Sequence, residues 1–439
     1  MQVLKFGGTS VGQPLRMHQI GDLITRDQES KIIVLSALSR TTNILVDTCL
    51  LLSNDLHAKA LETIIQLRDH YGNFVEALLE NDAQKEKAQS FLKEHFDFLE
   101  SATTSDFDKN REKEILAQGE LMSTKLFKTY LDEKGIASSL LMATDFMKID
   151  EENEPDIDFI ESQLTEILSK QSETTIFITQ GFVCQNHHGK IDNLKRGGSD
   201  YSASLIGSAI KASEIQIWTD IDGMHNNDPR VVKNTIPISE LSFDEAVELA
   251  YFGAKILHPA SIWPAQKFGI PVKLLNTMQP EAKGTTISHS SISDDIKAIA
   301  AKDGITAIKI KSSRMLLAYG FLTKIFQVFE RFKTPIDMIT TSEVAVSLTI
   351  DDKSSILDIK GALEPLGLVE IDNNQTIICI VGNFVAEKKG VVNNIFEALR
   401  EVPIRMISYG GSRHNISILV DSYYKKEVLE KLNKHLFGL

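Results

Sequence analysis

The chain has 439 residues, 42% of them hydrophobic and 24% charged, a composition that supports about two to four folded domains and excludes a disordered or collagen-like chain. Sixty Asp and Glu residues against 47 Lys and Arg give a net charge of −13, so nucleic acid and anionic membrane surfaces are poor partners. No apolar run approaches the roughly 18 residues needed to span a bilayer, and the N-terminus, MQVLKFGGTS, enters a strand pattern at once, which predicts a cytoplasmic protein.

The opening predicts strand, turn and helix: VLKF, then Gly7-Gly8, then a helical pattern from about Val11 through Leu15, Ile20, Leu23 and Ile24. KIIVLSA, at 31 to 37, is nearly all apolar and suits a parallel sheet buried on both faces, with crossover helices. The stretch from Asn43 to about Glu100 is rich in helix formers and has one glycine, Gly72; a later helix holds Glu120 and ends near Gly135. Further strands are expected at 174 to 183 and 215 to 223. Ser242, with Glu245 three residues on, reads as a capping box that starts a helix, and Gly253 marks where it stops. Cys49, Cys184 and Cys379 are odd in number and far apart, as expected of reduced structural thiols. His187, His188 and His414 have no partner at metal-ligand spacing and read as surface histidines.

The polar stretch SHSSISDD, 288 to 295, reads as a linker. It divides an α/β domain over 1 to 290 from a region over 296 to 439 that repeats itself. GFLTKIFQVFERF, from Gly320, matches GVVNNIFEALREV, from Gly390; Pro335-Ile336 matches Pro403-Ile404, and Asp351 matches Asp421. A repeat of this length suits two small βαββαβ, ferredoxin-like modules, near 313–385 and 386–439, the second completed by the strand near 299–312. Such modules either sense a ligand or simply pair into a dimer.

KFGGTS is not a Walker A loop, because Lys5 precedes the glycines. Taken alone it is either a tight structural turn or an anion site, in which Gly7 and Gly8 permit close approach of the backbone and a following helix start offers amides and a positive dipole end. A second site of this kind is LKRGGSDYSASL, where Arg196, Gly197, Gly198, Ser199 and Asp200 open a helix. One turn can face phosphates and the other an acceptor, Arg196 offering a forked donor for a carboxylate. WTDIDGMHNNDPRVV follows a strand with clustered Asp, Asn and Gly, a pattern of ligand loops at the carboxyl ends of strands; Asp220 and Asp222 there are either metal ligands or turn formers.

Taken together and in order, KFGGTSVG, GELMST (119 to 124), TQGF (179 to 182), RGGSDYSASL, WTDIDG, DPRVV, FGAKILHPA and TTSEV (340 to 344) resemble the aspartokinases. The resemblance implies an amino-acid-kinase fold, a mostly parallel sheet sandwiched by helices, followed by two ACT modules. It implies transfer of a phosphoryl group from Mg-ATP to the side-chain carboxylate of L-aspartate, the first step toward lysine, methionine and threonine. Within the family the chain looks most like the monofunctional, lysine-inhibited form, a homodimer joined through its ACT modules. The resemblance gives Lys5, Asp200 and Lys255 to catalysis. For the nucleotide it implies Lys5, Phe6, Gly7, Gly8, Thr219, Asp220, His225, Arg230, Lys255 and Ile256, with Mg2+ bridging the phosphates and held largely by nucleotide and water; His225 stands where many relatives carry Tyr. For aspartate it implies Ser36, Thr42, Glu120 on the α-ammonium, Arg196 on the α-carboxylate, Gly197, Gly198, Ser199 and Asp200. For the effector it implies Met315, Ala318, Gly320, Phe321, Leu322, Ile336, Asp337, Thr341, Ser342 and Glu343. Ala318 and Pro335 replace serines that lysine-sensitive relatives can carry, so threonine stays open as an effector. Competing readings are another small-molecule kinase of the same fold, or a non-catalytic amino-acid sensor.

Overall fold

The computed structural model describes every residue except 172, 195–196, 254–256, 290–294 and 314–318. The chain forms two compact units, Met1–Met224 with Leu257–His289, and His225–Ile256 with Ser290–Leu439.

In the first unit seven described strands form one sheet, in the order Ser139–Leu141, Ile176–Gln180, Lys31–Leu35, Gln2–Phe6, Ile215–Thr219, Val272–Asn276, Thr285–Ser288. All neighbours run parallel except the last pair. The strands Lys31–Leu35 and Ile176–Gln180 are buried at every position, which is what a parallel sheet covered on both faces requires. The stretch predicted as mostly helical is three helices, Thr41–Ser53, His57–Leu78 and Asp82–Ser101, and Glu120 lies in a fourth, Lys109–Glu133. Tyr71, Phe96 and Phe127 join these helices to the core beneath the sheet. The first predicted helix is interrupted: Gly8–Val11 ends at Gly12, and a second helix, Pro14–Ile24, begins on proline. Proline lacks the N–H that a continuous helix needs and fits the first turn of a new one.

In the second unit Ser242 and Glu245 form the capping box of Phe243–Tyr251, the side chain of each accepting the other's amide proton. Six described strands of this unit form an antiparallel sheet in the order Ile339–Thr341, Ala345–Ile350, Ile296–Lys311, Leu368–Gly382, Asn415–Asp421, Met406–Ser408. Ile296–Lys311 and Leu368–Gly382 are long enough to serve both halves of the repeat, with register shifts at Lys302 to Ile305 and Ile305 to Ala307. Ile308 and Ile310 pack with Phe321, Ile325 and Phe329 in one core, while Ile299, Ile378 and Ile380 pack with Ile395 and Ile416 in another. The repeat is also visible in its helix starts, because Gly320 (φ 77°) and Gly390 (φ 83°) both precede their helices in the left-handed region that glycine enters without penalty.

All three cysteines are buried and free. His414 is not a surface residue: its side chain is 15% exposed, with Nε2 3.7 Å from Asp244. Among the described residues no helix is long and apolar enough to cross a membrane.

Candidate active site

Strand Gln2–Phe6 alternates its side chains, so Phe6 enters the core, fully buried and stacked on Trp218 at 5.9 Å, while Lys5 turns the other way. The Phe6 side chain is therefore part of the core, which leaves only its backbone to face a nucleotide. Lys5 Nζ lies 2.6 Å from Asp200 Oδ1, both side chains largely shielded from solvent. A Cβ at Gly7 would stand 3.4 Å from that ammonium, and one at Gly8 would stand 3.1 Å from the Ala37 carbonyl. Glycine thus lets the turn sit against the segment that follows Lys31–Leu35. The Gly7 amide donates to the Trp218 carbonyl at 3.3 Å, so of the two amides expected at a phosphate, this one is already used within the fold.

The second glycine pair folds as a helix start. Gly197 (φ 74°) precedes helix Gly198–Ala209, and a Cβ on it would meet Ser261 Oγ at 2.2 Å. Ser199 is pressed against Gly181, where a Cβ would fall 2.4 Å from its Oγ. Ser36 Oγ donates to Ser199 Oγ at 2.9 Å, and Ser123 Oγ donates to the Ser36 carbonyl at 2.8 Å. This chain of hydroxyls ties the second turn, through Ser36, to helix Lys109–Glu133. Gly119 lets that helix come close, since a Cβ there would stand 2.7 Å from the Ala37 Cβ.

Glu120, the next residue, is 3% exposed. Burial pushes its carboxyl up to about 8, opposed by backbone hydrogen bonds and by the Lys5 charge. Its Oε2 has no hydrogen-bond partner among the described residues. A buried acceptor left open in this way is costly unless a ligand donor completes it.

Lys5, Gly8, Ser36, Thr42, Glu120 and Thr219 line one cavity of about 490 Å³, the size of an ordinary small-molecule site. Gly7, Gly198 and Ser199 also border it. Asp220 follows Thr219 and accepts from its hydroxyl at 3.1 Å. His225 and Arg230 belong to the second unit. There His225 Nδ1 is 2.9 Å from Thr235 Oγ1, and Arg230 is forked onto Asp228 with both contacts at 2.9 Å; that guanidinium is engaged within the fold. Arg196, Lys255 and Ile256 lie outside the described residues, as do Met315 and Ala318.

Of the described residues expected at an effector, Phe321 is buried in the core, whereas Leu322, Thr341, Ser342 and Glu343 are exposed and Ile336 is half-buried. Asp337 is not open to a ligand through Oδ1, which lies 2.6 Å from Lys302 Nζ and accepts from the Tyr251 hydroxyl at 3.1 Å. The cavity residues that sequence reasoning missed are Thr9, Ala37, Leu38, Ser39, Arg40, Asn43 and Phe182. Arg40 and Phe182 have left-handed backbones, with φ of 67° and 66°, a conformation that no motif in the sequence announces.

The amino acid kinase family model matches residues 1–276, and an ACT domain model matches residues 378–436. The chain is 33% identical to lysine-sensitive aspartokinase 3 of Escherichia coli (strain K12), over 99% of each chain. It is 31% identical to chloroplastic aspartokinase 1 of Arabidopsis thaliana, over 99% of this chain and 80% of the relative. Among solved structures, E. coli aspartokinase III in complex with aspartate and ADP (R-state) superposes with a TM-score of 0.85 at 32% identity, covering 100% of both chains. The same enzyme in complex with lysine and aspartate (T-state) gives 0.82 at 32% identity, covering 100% of this chain and 99% of the other. With a match along its whole length and a kinase site assembled from its own motifs, the chain belongs to the aspartokinases, a branch of the amino acid kinase family.

Proposed function

We propose that the protein transfers the terminal phosphoryl group of Mg-ATP to the side-chain carboxylate of L-aspartate, giving 4-phospho-L-aspartate and ADP. The observation that carries this reading is the convergence of Lys5, Glu120 and both glycine turns on one cavity. The similar E. coli structure in complex with aspartate and ADP supports the same pair of ligands here.

The acceptor carboxylate has an ordinary pKa near 4 and is ionised at neutral pH, so no general base is needed. Its oxygen attacks the γ-phosphorus, the new O–P bond forms as the bond to the β-phosphate oxygen breaks, and ADP leaves. The protein's task is to align two anions that repel and to place positive charge where the phosphoryl group carries its negative charge. Lys5 supplies a fixed charge, and Asp200 orients it. Glu120 takes the α-ammonium, Thr42 and Ser199 complete the acceptor pocket with Ser36, and Arg196 takes the α-carboxylate. Thr219 and Asp220 flank the nucleotide, with Lys255 as a further charge on the phosphates. Magnesium is read as arriving on the phosphates and on water, which suits its preference for oxygen ligands.

We read the second unit as regulatory. Lysine is the favoured effector because of the likeness to a lysine-sensitive enzyme, and the exposed edge strand Ile339–Thr341, with Val344 exposed beyond it, offers a surface for pairing two chains. The test is an ATP-dependent hydroxylamine trap for acyl phosphate across the twenty amino acids. Hydroxamate is expected with aspartate, and turnover of a different acceptor with none on aspartate would overturn the reading.

A further inference from the structure

Three properties of Arg40 meet at the active-site cavity. It is the residue before helix Thr41–Ser53, with φ 67° and ψ −9°, a left-handed conformation that side chains with a Cβ adopt at a cost. It lines the same cavity as Lys5, Gly8 and Thr219. It is exposed, and among the described residues its guanidinium has no hydrogen bond or ion pair.

Lys5 already shares its charge with Asp200 at 2.6 Å. A nucleoside triphosphate brings several negative charges into the cavity, and a guanidinium with no carboxylate of its own is suited to phosphate oxygens. The placement of Arg40 favours the donor side. Ser39, its neighbour, packs on the first glycine turn: a Cβ at Gly12 would stand 2.4 Å from the Ser39 Cβ, and one at Gly8 would stand 3.9 Å from the Ser39 Cα.

We propose that Arg40 binds the terminal phosphate of the nucleoside triphosphate, and that its backbone keeps the left-handed conformation because this sets the guanidinium at the cavity. The inference rests on the phosphoryl-transfer reading above and adds to it a phosphate-binding residue. Because the backbone favours glycine, Arg40→Gly separates function from folding: it removes the guanidinium while relieving the backbone.

The experiment measures binding of the magnesium complex of a non-hydrolysable ATP analogue, and of ADP, to the full chain by calorimetry, with thermal melting alongside. Arg40→Gly is expected to weaken the triphosphate analogue about tenfold or more and ADP less than about threefold. Its Tm is expected to stay the same or rise by about 2–4 °C. Arg40→Lys should restore part of the lost affinity. Unchanged triphosphate binding or equal losses for both nucleotides would overturn the proposal. Wild-type protein that binds neither nucleotide would overturn the phosphoryl-transfer reading as well, a result distinct from failure of the Arg40 variant alone.

Discussion

Lys302 places its ammonium 2.6 Å from Asp337 Oδ1 and 2.9 Å from Asp351 Oδ2, above the Tyr251 ring at 4.7 Å. Burial pulls the Lys302 pKa down, but the two carboxylates more than offset this and it stays raised. An internal cation therefore takes one oxygen, Oδ1, of the carboxylate that family likeness offers to a cationic effector, and among the described residues Oδ2 has no hydrogen-bond partner. Removing it by Lys302→Met should free Asp337 and lower the half-inhibiting lysine concentration about tenfold, while costing about 1–3 kcal/mol of stability because a shielded carboxylate loses its partner. Asp337→Asn should weaken lysine inhibition and leave uninhibited kcat near normal. Inhibition curves for the two variants check this, and identical curves would disconnect the Lys302 contact from effector binding.

The Lys5–Asp200 pair leads to a separate expectation for catalysis. A charge aimed at the transferring phosphoryl group stabilises the transition state more than bound ATP, so Lys5→Met should lower kcat by about 10²–10³ with a smaller change in the KM for ATP. Asp200→Asn keeps the shape but loosens the lysine, and it should show a smaller kcat loss of the same kind. Steady-state kinetics in both substrates decide, and a KM effect alone would mean that Lys5 only binds.

Much of the fold was legible because the sequence carries strong local signals. The nearly all-apolar run at 31 to 37 suits a strand buried on both faces, Ser242 with Glu245 announces its own helix start, and Gly320 and Gly390 mark the repeat. The two glycine turns were legible only as a pair, since either one alone reads equally well as a tight structural turn. What was not legible depends on long-range packing. The sequence does not show that Phe6 faces the core, that the Gly7 amide is taken by Trp218, that Arg230 is held by Asp228, or that Lys302 reaches Asp337 across 35 positions. Arg40 was invisible for a different reason: its backbone is left-handed at φ 67°, and nothing in LSRTT signals it.

Gly181 offers a test of how tightly the acceptor pocket is built. A methyl group there would fall 2.4 Å from Ser199 Oγ and 2.8 Å from the Ser199 Cα, and the latter is backbone, which cannot swing aside as a side chain end can. Gly181→Ala should therefore displace the second glycine turn and raise the aspartate KM at least about tenfold, because a displacement of about 1 Å is enough to spoil alignment. Nucleotide affinity should change much less. Equal damage to both ligands, with a large drop in Tm, would mean that the strain spreads into the sheet.

Glu120 makes the acceptor site sensitive to pH. Burial raises its carboxyl to about 8, so the empty site holds it protonated at neutral pH, where it cannot pair as an anion with an ammonium. Binding the α-ammonium of aspartate favours the charged form, and below about pH 8 the complex forms with release of a proton. The aspartate KM should fall as pH rises from about 6 to 8, by up to about tenfold per pH unit, and then level off. The stability consequence has the opposite direction. A carboxyl whose pKa is higher folded than unfolded stabilises the fold fully below the unfolded value of about 4.5, and this contribution declines as pH rises toward about 8, at no more than about 1.4 kcal/mol per pH unit. Glu120→Gln removes both effects: its KM should be raised and nearly independent of pH, and its melting temperature should lose the part of the pH slope that Glu120 contributes. Kinetics from pH 6 to 9, with calorimetry in buffers of different ionisation enthalpy to count the released proton, check the assignment. A wild-type aspartate KM that stays flat over this range, with no proton released, would place the α-ammonium elsewhere.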